Sequence, residues 1–284
     1  MFRYLFLGLL ILAVSCKKDS SEDTGTNPAI AQSFTDVAYG NDNLQKMDIY
    51  LPAGRDTINT KLLVLIHGGA WIEGDKSDFD SNINDIKILL PGYAIANINY
   101  RLYSNGNNKF PAQEDDVKAA INFLLGKLQY YKVSKNFVYL GASAGAHLAL
   151  LQGYKYSNII APKAIVSFFG PTDLTGLYNH PGDPSIPTIL ASIVGYTPAQ
   201  NASIYTSSSP ITYASATSAP TILLQGDADV LVPLAQATTL NNQLTSLKVT
   251  HQLVVYPGEG HGFNDTDMSD ALSKVVNFLK MNVP

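Results

Sequence analysis

The chain has 284 residues, 46% of them hydrophobic and 15% charged, a composition that excludes intrinsic disorder over most of its length. Its net charge is -4 and no long basic run occurs, which argues against a nucleic-acid-binding protein. A single cysteine excludes an intrachain disulfide and any multi-cysteine zinc or iron–sulfur site.

Met1–Lys18 opens with Arg3, continues as the apolar run Tyr4–Val14 and ends in Ser15-Cys16-Lys17-Lys18. A cationic start and a short apolar run are the pattern of a secretory signal. The run falls short of the roughly 20 apolar residues a spanning helix needs. Ala13-Val14-Ser15-Cys16 resembles a bacterial lipoprotein cleavage site, with Ala13 where Leu is commonest. The expectation is therefore a signal peptide over residues 1–15 and lipidation at Cys16, which would anchor an exported protein to a cell-envelope membrane. Lys17–Pro28 is rich in Ser, Asp and Thr with little to bury, so residues 16–30 are expected to form a flexible tether.

From Ala31 onward apolar runs alternate with helical patterns, and no linker or fixed repeat interrupts them. Strands are predicted over Phe34–Tyr39 and Lys46–Leu51, joined through Gly40-Asn41-Asp42-Asn43. Leu62–Ile66 is continuously apolar, as in a strand buried on both faces, and Ala94–Tyr100 repeats that character. Val117, Ala120, Ile121, Leu124, Leu125 and Leu128 recur at helical spacing within Gln113–Tyr130. Then follow a strand (Phe137–Leu140), a helix (Ala144–Tyr154), strands at Ala164–Phe169 and Thr221–Leu224, a helix (Leu234–Leu247), a strand (Gln252–Tyr256) and a closing helix (Ser269–Met281). This order predicts one α/β domain over 31–284 with a mostly parallel sheet and helices on both faces. Thr172–Ser209 lacks the rhythm and carries Pro181, Pro184, Pro187 and Pro198, so it is expected to be an insertion, a partial lid or a substrate wall.

The chemistry gathers at strand ends. Gly141-Ala142-Ser143-Ala144-Gly145 lies between a predicted strand and a predicted helix, the setting of the G-x-S-x-G nucleophile elbow. His67-Gly68-Gly69-Ala70-Trp71 follows the strand Leu62–Ile66. Its small residues let backbone N–H groups face an oxyanion, so Gly69 and Ala70 are expected as donors together with the N–H of Ala144. His67 and Gly68 are expected to support that loop, His67 by hydrogen bonding rather than as a base. Trp71 is expected to pack beneath it, with substrate contact as the alternative.

A serine needs a base, and the base needs an acid. Of the five histidines, His261 is the candidate, because Gly258-Glu259-Gly260-His261-Gly262 is a glycine-rich loop beyond a strand end. His147 lies one turn after Ser143 and points along the helix, while His180 and His251 lie in the insertion and at a strand start. Asp229 reaches further toward the histidine loop than Asp227, which suits a turn former. The order Ser143, Asp229, His261 is that of the hydrolases in which this elbow occurs.

These motifs, with Met47–Pro52, Asn99-Tyr100-Arg101-Leu102, Phe110-Pro111-Ala112 with Asp116, Gly170-Pro171-Thr172-Asp173-Leu174 and Gly260–Phe263, make the chain resemble an alpha/beta-hydrolase of the esterase/lipase superfamily. The resemblance is to the hormone-sensitive-lipase-like branch and, more closely, to bacterial carbohydrate esterases that remove feruloyl or acetyl groups from xylan. It implies an alpha/beta-hydrolase fold with a sheet of about eight strands. It also implies a serine esterase mechanism, no cofactor and no metal, and a small-molecule or polysaccharide ester as substrate. The family's acid precedes a Val-Pro pair by two residues, here Val232-Pro233, which aligns it with Asp229. Ala70 departs from the lipase-type His-Gly-Gly-Gly, and the long helical cap of the lipase branch has no counterpart here. An amide or peptide hydrolase of the same fold and a non-catalytic glycan-binding protein are the alternatives. From its composition the insertion is expected to suit a polar, sugar-bearing alcohol and short acyl groups, with Tyr103, Tyr178 and Tyr196 as candidate contacts.

Overall fold

The computed structural model describes residues 25–283. The expected signal peptide, Cys16 and residues 16–24 of the expected tether lie outside the described residues.

Among the described residues eight strands form one sheet: β1 (Gln32–Ala38), β2 (Lys46–Leu51), β3 (Lys61–Ile66), β4 (Tyr93–Ile98), β5 (Phe137–Ala142), β6 (Ala164–Phe168), β7 (Thr221–Gly226) and β8 (His251–Tyr256). Their order is β1-β2-β4-β3-β5-β6-β7-β8. The β1/β2 and β2/β4 pairs are antiparallel and every other pair is parallel. This is the expected mostly parallel sheet of an alpha/beta-hydrolase.

The helices are α1 (Asp80–Leu89), α2 (Ala112–Gly126), α3 (Leu128–Tyr131), α4 (Ala144–Lys155), α5 (Leu174–Asn179), α6 (Ile186–Val194), α7 (Ala202–Ser207), α8 (Ala235–Ser246) and α9 (Asp265–Asn282). Two cores sandwich the sheet. Leu62, Val64 and Ile66 of β3 pack with Val117 and Ile121 of α2, Leu148 and Leu151 of α4, and Leu240 and Leu244 of α8. The alternate residues Leu63 and Leu65 pack on the opposite side with Ile83 and Ile86 of α1 and Val275 and Leu279 of α9. The period of two along a strand sends its side chains to both faces, so a strand with helices on each side must be apolar throughout. Because β3, β5, β6, β7 and β8 run parallel, the loops that follow them emerge at one edge of the sheet, where sites on such folds form.

Three expectations need correction. The single helix over Gln113–Tyr130 is divided at Lys127, and α3 ends at Lys132 in the left-handed conformation. Helix α1 was not expected: only Ile83 and Ile86 are buried along it, too few to mark a period in sequence. Residues 25–30 are not a free tether. Thr26 donates from both N–H (2.8 Å) and Oγ1 (2.9 Å) to the carbonyl of Tyr130. Arg55, 4% exposed, holds the segment from within. Its guanidinium donates to the carbonyls of Asn27 and Ile30 at 2.7 Å, of Tyr131 at 2.9 Å and of Pro52 at 3.1 Å. A fifth bond reaches Gln32 Oε1 at 2.5 Å. The packed domain therefore begins about six residues earlier than composition suggests.

Arg55→Met should lower unfolding free energy by about 2–4 kcal/mol, because buried carbonyls lose a charged donor. Limited proteolysis should cut near Asn27–Gln32 first while the remainder stays protected. Unchanged denaturation midpoints would mean that the segment contributes nothing to the domain.

Candidate active site

Ser143 sits between β5 and α4 with φ 53° and ψ -121°, a region that costs a non-glycine residue about 1–3 kcal/mol. The surrounding backbone holds it there: Ser143 N–H donates to Phe168 O at 2.9 Å, and His147 N–H donates to Ser143 O at 3.1 Å. A Cβ on Gly145 would lie 2.0 Å from the carbonyl oxygen of Ile66, and one on Gly141 would lie 2.3 Å from the backbone of Gly145. Only glycine permits strand and helix to meet this closely, and that contact forces the sharp turn.

Ser143 Oγ lies 2.7 Å from His261 Nε2. His261 Nδ1 lies 2.7 Å from Asp229 Oδ2. The Asp229 side chain is fully buried and that of His261 is 17% exposed. Asp229 Oδ1 accepts from the N–H groups of Leu231 and Val232, both at 2.9 Å, and its Oδ2 accepts from Gln225 Nε2 at 2.8 Å. Four donors thus satisfy one buried carboxylate, as a buried charge requires. Asp227 takes no part: its Oδ1 accepts from Gly258 N–H at 2.7 Å and closes the histidine loop from outside.

The loop after β3 lies beside the serine. Gly69, Ala70 and Trp71 all have positive φ, at 97°, 49° and 62°. Gly69 O accepts from Ile72 N–H (2.9 Å) and Glu73 N–H (3.0 Å), which closes a tight turn. Among the described residues, the N–H groups of Gly69 and Ala70 donate to no backbone carbonyl. Ala144 is the first residue of α4, where N–H groups have no partner within the helix. The Tyr100 hydroxyl supports the loop by bonding the carbonyls of His67 (3.0 Å) and Gly68 (3.1 Å). The His67 ring stacks on Tyr100, centroids 4.3 Å apart, and its Nδ1 lies 2.8 Å from Gly68 O. Trp71, 3% exposed, packs edge-on against Phe110 and His147.

A pocket of about 240 Å³ opens at Ser143 and His261. Ala70 and Trp71 line one side, Leu231 and Val232 another, and α6 contributes Ile186, Ile189 and Leu190. Trp71 therefore both packs under its loop and borders the pocket. The insertion corrects the composition-based expectation: the side it turns to the serine is mainly apolar, with Ser185 as its polar member. Its signal was present in sequence, since Ile186, Ile189, Leu190, Ile193 and Val194 follow helical spacing, but the prolines around them obscured it. Tyr103, Tyr178 and Tyr196 are not among the side chains that line this pocket; Tyr178 instead packs on Tyr205. Sequence reasoning also gave no role to Gln225 or to the Tyr100 hydroxyl. Among the described residues no group of three or more His, Cys, Asp and Glu side chains is placed to hold a metal ion.

His147 is fully buried and its Nε2 lies 2.7 Å from Ser208 O. Burial lowers its pKa to about 3, aided by the nearby charge of Lys155 and opposed by the Ser208 carbonyl. It is thus held neutral, away from Ser143 Oγ. His67 is lowered in the same direction, chiefly by burial.

Comparison with known proteins follows this geometry. The BD-FAE family pattern matches residues 47–244, and the chain belongs to that family. It is similar to a probable carboxylic ester hydrolase, LipM of Mycobacterium tuberculosis, with 29% identity over 81% of this chain and 56% of LipM. Among solved structures it is similar to a bifunctional GH43-CE protein of Bacteroides eggerthii, with TM-score 0.75 and 29% identity over 89% of this chain and 38% of that one. It is also similar to a truncated carbohydrate esterase from gut microbiota, with TM-score 0.71 and 25% identity over 89% of this chain and 99% of that one. The chain spans about half the length of the curated relatives it matches.

Both buried histidines bind protons more readily in the unfolded chain, near pH 6.5, than in the fold. Stability should therefore fall as pH drops below 6.5, with a slope of up to about 1.4 kcal/mol per pH unit for each histidine. For His147 the loss should continue toward pH 3. Urea unfolding at pH 7, 6 and 5 should show it, with a shallower slope in His147→Gln; a flat profile would mean that these rings are not buried neutral.

Proposed function

We propose that the protein is a serine carboxylesterase whose physiological substrates are acyl esters of polysaccharides, acetyl or feruloyl groups among them. The observation that carries this reading is the unbroken chain from Ser143 Oγ through His261 to the buried Asp229, both links 2.7 Å, at the floor of an apolar pocket. Ser143 Oγ attacks the ester carbonyl while His261 Nε2 takes its proton. Asp229 keeps the proton on Nδ1 and stabilises the imidazolium. The N–H groups of Gly69, Ala70 and Ala144 face the oxyanion. His261 then protonates the leaving alcohol, and water activated by the same imidazole hydrolyses the acyl-enzyme. The apolar wall of α6 receives the acyl group. Similarity to LipM supports ester hydrolysis, and similarity to the gut-microbiota carbohydrate esterase supports a saccharide alcohol.

Export and lipid anchoring through Cys16 belong to the same proposal, on the strength of the apolar run before it and the small residues beside it. Cys16→Ala should move the protein from the membrane to the soluble fraction with its esterase activity intact. Retention in the membrane pellet would point to an uncleaved leader.

Ser143→Ala should abolish hydrolysis of p-nitrophenyl acetate and labelling by a fluorophosphonate, since loss of such a nucleophile costs on the order of a million-fold. Asp229→Asn should cost about 10⁴-fold by trapping the wrong histidine tautomer, whereas Asp227→Asn should keep kcat within about threefold, the range of a modest loop perturbation. Equal losses in the two aspartate variants would remove Asp229 from the triad.

Acyl chain length tests the pocket. Each added CH₂ against the α6 wall should raise kcat/KM about fourfold (~0.8 kcal/mol) until the pocket is full. That gain should end before octanoate. Release of acetate or ferulate from xylan tests the saccharide alcohol, and an N-formyl aryl amide tests the amide alternative. Turnover of the amide alone would overturn the esterase reading.

A further inference from the structure

We propose that Phe169 is a positioning residue for His261, whose ring face stabilises the imidazolium and so sets its proton affinity. The inference rests on the esterase reading for its catalytic consequence, but its physical content concerns one ring pair. Phe169 follows β6 with φ 41°. Positive φ is a genuine outlier for a bulky side chain, and it costs about 1–3 kcal/mol unless the surroundings impose it. Here they do: Phe169 N–H donates to Leu224 O at 2.8 Å, which ties the residue to the end of β7.

The effect of this conformation is to aim the ring. Its centroid lies 4.8 Å from that of His261, with the planes tilted by 57°. A cation within about 6 Å of an aromatic centroid is attracted by the negative face of the ring. Phe263 meets Phe169 edge-on at 5.5 Å and packs against Tyr256 at 4.6 Å, so the aromatic cluster holds both the ring and the histidine loop. Phe169 also borders a cavity of about 110 Å³ lined mainly by apolar side chains, Ala142, Phe168, Met268 and Leu272 among them, with Asn82 and Asp85 as its polar members.

The charged groups around His261 come from three loops. Asp229, from the loop after β7, is its ion-pair partner. Glu73 shares the pocket from the loop after β3. Glu259 of the histidine's own loop is bonded to Asn264, and Asp227 to Gly258 N–H. Asp229 stabilises the imidazolium through Nδ1, and the aromatic face adds to that attraction from the side of the ring, favouring the same cation that forms when His261 has taken the proton from Ser143. Losing the face therefore lowers the imidazole pKa and lowers kcat together.

The test is a titration of His261 by nitrogen NMR of histidine-labelled protein, its signal identified by its absence in His261→Gln. It is paired with the pH profile of kcat/KM on p-nitrophenyl acetate. Wild type is compared with Phe169→Leu, which keeps the apolar bulk, and Phe169→Tyr, which keeps the ring. Replacing Phe169 by 3,4,5-trifluorophenylalanine keeps the shape and removes the negative face, so the proposal stays testable if the leucine variant fails to fold. Leucine and trifluorophenylalanine should lower the His261 pKa by about half a pH unit, which corresponds to ~0.7 kcal/mol, and shift the acid limb of the profile down by the same amount. Phe169→Tyr should restore the wild-type value. A His261 pKa unchanged in the trifluoro variant, or lowered equally by tyrosine, overturns the proposal. The NMR titration reads the ring pair without turnover, so a protein that hydrolyses no ester would defeat the esterase reading and leave this measurement decisive.

Discussion

The contact between the first turn of α4 and the end of β3 governs the geometry of the whole site. A Cβ at Gly145 would fall 2.0 Å from Ile66 O, so backbone touches backbone and no side chain can intervene. With the helix this close, the chain leaving β5 has only one residue in which to turn, and Ser143 takes the strained conformation that results. The same contact places the N-terminus of α4 beside the loop after β3, whose Gly68 approaches Ser143. Strain at Ser143 is borne by the sheet: Phe168, Ile66 and Gly141 all lie in or beside central parallel strands, whose ladders the turn cannot deform.

The other half of the site hangs on looser connections, and buried polar bonds supply the rigidity. Gly226 lets the end of β7 approach the carbonyl of Glu259, with a would-be Cβ 2.2 Å away. Ala228 N–H bonds that same carbonyl at 3.0 Å. The acid loop and the histidine loop are thus joined before Asp229 meets His261. The four donors on Asp229 fix the carboxylate, which in turn fixes the imidazole ring and its tautomer. Phe169 and Phe263 complete the enclosure with apolar surface, so the imidazole has one charged partner and aromatic walls.

The motifs after β3, β5, β7 and β8 were readable because each combines small residues with one reactive side chain at the end of a clear apolar run. Asp229 and Asp227 were separable by reach alone, and the structure gives them the different partners that this distance implies. The pocket was less legible. Ile186, Ile189 and Leu190 carry a helical pattern, yet Pro181, Pro184 and Pro187 broke the surrounding rhythm and made the segment look polar. Residues 25–30 misled for a related reason: their one large apolar side chain, Ile30, stays exposed, and what docks the segment is its own carbonyls on Arg55 and Thr26 on the carbonyl of Tyr130, backbone partners that leave no trace in composition.

By itself the sequence determined the local physics of this protein. Continuous apolar runs marked strands buried on both faces, period 3.6 marked the helices that cover them, and glycine marked the turns where a Cβ cannot fit. Those are properties of neighbouring residues, and neighbours are what a sequence records. Only the tertiary structure decided which loops share an edge of the sheet, which histidine is buried neutral and which meets a serine 118 residues away, and which face of α6 walls the pocket. Each of these depends on strand order and on burial. Both arise when distant segments are brought together by the removal of apolar surface from water, a driving force that is non-directional and does not name its partners.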